Sequence, residues 1–206
     1  MLKYCVTLLS LLWLALPLNA ANVLVAPGEK ISGDVEGTVL LLAGEHHVRE
    51  TVEITKSLTL TAEPGAVWIS HANPAIAVRA NDVTIQNLVL KSAESTGTAI
   101  VSSSPVTLKR PAHRFTCASN KIEGFAGGIM HVYGNEFVAR DNEVIGVEAP
   151  VDANELLTVG ILNTMGHDAV IEENRVSRFA TGIFLSGGHG RVVKNTLQRN
   201  NIGVIF

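Results

Sequence analysis

From residue 115 onward the chain repeats one phrase: an apolar pair, an asparagine, one variable residue, an apolar residue, then a glycine followed by an aliphatic. It appears as Asn120-Lys121-Ile122 with Gly128-Ile129, Asn142-Glu143-Val144 with Gly160-Ile161, Asn174-Arg175-Val176 with Gly182-Ile183, and Asn195-Thr196-Leu197 with Gly203-Val204. An earlier instance, Asn87-Leu88-Val89, precedes Ala99-Ile100. The asparagines are spaced by 33, 22, 32 and 21 residues and the glycines by 32, 22 and 21. One coil of 21–22 residues, enlarged by insertions of about ten residues around 91–113 and 146–159, accounts for both series.

Apolar runs of three to five residues bounded by Gly or Asn cannot bury a face alone. Stacked coil upon coil, each inward side chain packs against its counterparts above and below. The reading is therefore all-β: a single right-handed parallel β-helix. An asparagine at a repeated corner tolerates left-handed backbone geometry, and its amide can bond from coil to coil. The regular leucines of a leucine-rich solenoid are missing. Val39–Leu42, Val52–Ile54, Leu58–Thr61, Val67–Ile69, Ile76–Val78 and Val83–Ile85 read as the opening strands, and no stretch after residue 21 holds helical amphipathicity over three turns.

Residues 1–20 carry Lys3, an apolar core from Val6 to Leu16, and Pro17 with small residues at Ala20 and Ala21. This is the pattern of a secretory signal peptide, which makes the expected product secreted or periplasmic, with residues 21–206 as the β-helix domain. The apolar core is too short to span a bilayer, and no later segment supplies a membrane span. Removing residues 1–20 removes Cys5 and leaves Cys117, so no internal disulfide can form. Cys117 lies in an alternating apolar stretch that predicts a buried thiol. A net charge of -3 with scattered Lys and Arg gives no footprint for nucleic acid. The last residues, Asn201 to Phe206, stop within an apolar strand, so an open coil end is expected to be covered by further chain or by a partner.

In these repeats the chain resembles the pectate-lyase-like superfamily of parallel β-helices. It is closest in style to the class that includes carbohydrate-binding and sugar-hydrolysing domains and the periplasmic accessory protein of nitrous oxide reductase. The stretch Val67-Trp68-Ile69-Ser70-His71 is similar to a Val-Trp-Ile-Asp-His segment of pectate lyases, with Ser70 in place of the aspartate. Arg110-Pro111-Ala112-His113-Arg114 is similar to an Arg-x-Pro-x-x-Arg segment, one residue short. The resemblance implies binding or processing of an extended acidic polysaccharide along an exposed face. If the protein is an enzyme, it implies a polysaccharide lyase, epimerase or glycoside hydrolase, with Ca²⁺ as cofactor for a lyase. Two alternatives stand beside this: a non-enzymatic periplasmic accessory protein of the metal-maturation type, and an inactive remnant of a longer β-helix.

Carboxylates are too dispersed to form a calcium cage or an evident hydrolase pair. Counting seven residues on from the repeated glycines reaches Asn135, His167 and His189, each preceded by a glycine. Stacked in one column, His167 and His189 become candidate metal ligands, with Asp168 and Arg191 beside them as catalytic candidates. His131, Tyr133 and Arg140 form a second candidate group for sugar contact.

Overall fold

The computed structural model describes residues 22–103, 112–147 and 158–206. Residues 1–20, read from the sequence as a signal peptide, and much of both insertions lie outside these residues. Among the described residues there is no helix. Twenty-two short strands form three parallel sheets; after the first strand, Asn22–Val25, which joins sheet A alone, the chain visits them in the order A, B, C once per coil. Sheet A has eight strands, and sheets B and C have seven each. This is a parallel β-helix, consistent with the right-handed crossover sense of parallel strands.

Register shows how the repeat becomes a core. In sheet A, Val39, Leu60, Ile85, Cys117, Ala139, Ile171 and Val192 stack in one inward column. In sheet C the column is Val52, Ile76, Ile100, Ile129, Ile161, Ile183 and Val204. In sheet B it is His46, Trp68, Leu90, Ile122, Val144, Val176 and Leu197. Nearly all of these side chains are buried, each aliphatic contributing about 1.5–3 kcal/mol by leaving water. Cys117 is among them, and burial pushes its thiol pKa well above the usual range. The stretch resembling a pectate lyase is one of these core strands, with Trp68 and Ser70 facing inward.

Coil length follows from the same register. Successive steps along sheet A, from Thr38 through Thr59, Thr84, Thr116, Val138 and Val170 to Arg191, are 21, 25, 32, 22, 32 and 21 residues. The two long steps hold the expected insertions. The step of 25 has no counterpart in the sequence reading and comes from small additions at all three turns of that coil, the largest of them, two residues, between Ser70 and Ile76 from sheet B to sheet C.

The asparagines sit at the corner between sheets A and B and point inward. Asn120, Asn142 and Asn174 are buried. The Oδ1 of Asn142 accepts from the backbone N–H of Asn120 (3.0 Å) and from its Nδ2 (3.0 Å). Asn174 does the same for Asn142 (3.0 and 2.9 Å), and Asn195 for Asn174 (2.9 and 2.9 Å). Each Nδ2 also donates to a sheet A carbonyl one coil back: that of Asn120 to Ile85, Asn142 to Cys117, Asn174 to Ala139 and Asn195 to Ile171. Two expectations need correction. The Oδ1 of Asn120 accepts from the N–H of Leu88, so Leu88 and not Asn87 occupies this column. The left-handed conformation belongs to the residue before each ladder position: Asn87, Ser119, Asp141, Glu173 and Lys194 have φ between 54° and 58°. The turn is made one residue earlier so that the asparagine can face the core.

Replacing Asn142 by Leu orphans the Asn120 N–H and the Cys117 carbonyl, and should cost about 3 kcal/mol in urea unfolding. Ser119→Gly, which relieves a positive φ, should be neutral or stabilising by about 1 kcal/mol in the same measurement.

Candidate functional site

The turns joining sheet C to sheet A carry most of the singled-out residues. The N–H of His113 donates to Asn81 Oδ1 (2.9 Å), that of Asn135 to His113 Nδ1 (3.2 Å) and that of His167 to Asn135 Oδ1 (3.1 Å). The column is therefore Asn81, His113, Asn135 and His167. The Asp168 N–H donates to the His189 carbonyl just as the Glu136 N–H donates to that of His167, which keeps His189 level with His167. Only beyond that bond does the register shift by one, Ala169 pairing with Gly190, because this turn is one residue shorter: from Ile161 to its sheet A counterpart Ile171 is ten residues, but from Ile183 to Val192 it is nine.

The shift still leaves the two imidazoles on adjacent turns. A Cβ at Gly188 would lie 1.8 Å from His167 Nδ1, so the imidazole of His167 occupies the space a side chain would take. His189 follows directly. Two residues before His167 stands Met165, 59% exposed, which sequence reasoning missed because a lone methionine in a turn carries no periodic signal. Met165, His167 and His189 thus present a thioether and two imidazoles at the exposed edge of neighbouring turns. Asp168 is exposed beside them, whereas Arg191 pairs with Glu172 at 3.0 Å on the outer face of sheet A. Glu173 pairs separately with Lys194 at 2.9 Å. Among the described residues no three His, Cys, Asp or Glu side chains converge as a metal shell.

The second candidate group is divided by the wall of the solenoid. His131 is fully buried: in the strand Gly127–Val132, alternation turns Ile129 and His131 inward and Met130 and Val132 outward. It therefore cannot form a sugar platform with Tyr133 and Arg140, which are exposed in the C-to-A turn and at the end of a sheet A strand. Inside, His131 Nδ1 lies 3.0 Å from Ser102 Oγ in a hydrogen bond, and the ring stacks on Phe137 at 4.7 Å. The next residue of its column is Asn163. The Nε2 of His131 and both amide atoms of Asn163 have no partner. The repeat held a signal for this polar column: His131 and Asn163 both stand two residues after the inward isoleucine of the Gly-Ile pair.

Burial lowers the His131 pKa to about 4, the Gly134 backbone opposing the shift and nearby His113 adding to it. The unfolded chain protonates this residue near pH 6.5, so between about 6.5 and 4 it binds more protons than the folded protein. Stability is complete above that window and should fall by about 3 kcal/mol as pH drops through it. Denaturation midpoints measured from pH 7 to 4 should show the loss, and His131→Phe should remove most of the pH dependence.

Residues 44–206 match the family model described as periplasmic copper-binding protein (NosD). The chain belongs to the NosD family. No curated protein matches it. As a NosD family member the protein is assigned to the periplasm, and among the described residues no helix is long and apolar enough to cross a membrane. The family supports the periplasmic accessory alternative and lends nothing to the polysaccharide reading. A NosD chain also gives the soft donors at the C-to-A turns a chemical context that the sequence alone did not supply.

Proposed function

We propose that this protein is a non-enzymatic periplasmic accessory protein, exported through residues 1–20, that carries copper at the corner formed by Met165, His167 and His189. The observation that carries the reading is the family match across 44–206. The chemistry of the corner fits it. Thioether sulfur is a soft donor that favours Cu(I), and neutral imidazole suits both copper oxidation states. Here copper is cargo, and the corner suits cargo: its donors are few, exposed and on turns, so an ion held there stays open to exchange with a partner's ligands.

Other donors fit less well. Cys117 would be the strongest ligand as a thiolate, but it is buried and its raised pKa keeps it protonated. His46 and His131 are buried in the core. The stacked pair His47 and His71, with centroids 6.0 Å apart, lies face to face instead of converging its nitrogens.

Anaerobic Cu(I) titration against a chromogenic chelator tests the assignment. Combined Met165→Ala, His167→Ala and His189→Ala should weaken Cu(I) binding at least about tenfold, roughly 1.4 kcal/mol or more, while Cys117→Ala leaves it unchanged. Equal affinity of the triple variant and the wild type would remove the corner from consideration.

A further inference from the structure

The outer face of sheet B and its corner toward sheet C form an open groove of about 700 Å³. Its floor is the outward column Glu123, Ile145, Ser177 and Gln198. At one edge, Arg178 follows Ser177 and Arg199 follows Gln198, so the two guanidinium side chains start one coil apart, about 4.8 Å along the axis. At the other edge lies Arg175, in register with Glu143. All three arginines are exposed.

The charges of this face divide along the axis. Toward the N-terminal coils they neutralise one another: Lys121 holds Glu123 at 2.7 Å and Glu143 at 3.8 Å, and Lys91 approaches Glu123 at 3.5 Å. Against the upward push of its partial burial, Lys121 and Lys91 together draw the Glu123 carboxyl below its usual pKa. Toward the C-terminal coils no described carboxylate balances the arginines. Among the described residues, Arg175, Arg178 and Arg199 form no ion pair and no side-chain hydrogen bond, and Ser177, Thr196 and Gln198 beside them are polar and uncharged. Even with Glu94 at the far rim, the described residues of this face set five cations against three carboxylates in a chain of net charge -3. Stacking two like charges one coil apart is unfavourable unless something anionic spans them. Planar guanidiniums offer paired donors that match carboxylates.

We infer that this groove docks an acidic segment of a partner protein, an extended stretch whose carboxylates are taken by Arg178 and Arg199 with Arg175 at the edge. Charge complementarity is the argument for a carboxylate-bearing occupant. The groove's length along several coils, from Gly124 to Arg199, suits an extended chain better than a single small anion. The site is separate from the C-to-A corner, so it does not depend on copper.

The probe is a fluorescein-labelled octapeptide with four glutamates alternating with serine, and its glutamine counterpart serves as control. Fluorescence anisotropy at low salt should show binding of the glutamate peptide and none of the glutamine peptide. Arg178→Gln with Arg199→Gln should weaken binding at least about tenfold, and Arg49→Gln on another surface should leave it unchanged. Thermal melting of the double variant, expected to match wild type, confirms that it is folded. Undiminished binding by the folded double variant, or no binding by wild type, would overturn the proposal. So would anionic phosphatidylglycerol vesicles or inorganic phosphate binding this face without competition from the peptide.

Discussion

From Asn120 onward each coil of this solenoid is tied to the next by an asparagine that accepts, through one oxygen, both the backbone N–H and the side-chain amide of the asparagine before it. A buried corner would otherwise strand backbone donors and carbonyls where no sheet ladder reaches them. The ladder supplies those partners from Leu88 to Asn195 and so fixes the register of the coils against one another. With register fixed, aliphatic columns in all three sheets stack like on like, and every turn projects from a defined height. The placement of each surface residue described above depends on that register.

The fold was legible because its signal is periodic. The Asn and Gly columns, the coil length and both insertions can be counted, and Cys117 falls in the core as its alternating neighbours require. What failed were inferences needing an accuracy of one residue. Asn87 was placed in the ladder by spelling, yet Leu88 holds that height and Asn87 takes the preceding left-handed position. Within a strand, an error of one residue reverses the face. His131 belongs to a strand long enough for its alternation to be read, but its polarity argued for the surface against its position.

The interior polar column of Ser102, His131 and Asn163 lowers the stability of the core. It leaves buried atoms without partners and disfavours a protonated imidazole. The C-to-A turns outside this column have glycines at 134, 166 and 188, where the chain runs close enough that a Cβ would collide with a neighbouring coil. Gly188 is the one whose missing side chain makes room for His167. On the proposed assignment, metal binding would be a property of turns, set by which residues are small enough to let a neighbouring imidazole lean across.

The claim that Met165, His167 and His189 together hold copper is tested most directly by copper K-edge X-ray absorption on the Cu(I)-loaded protein. One sulfur and two imidazole nitrogens are predicted around the ion, with the sulfur lost in Met165→Leu. A first shell without sulfur in wild type, or a sulfur that persists in Met165→Leu, would contradict the account.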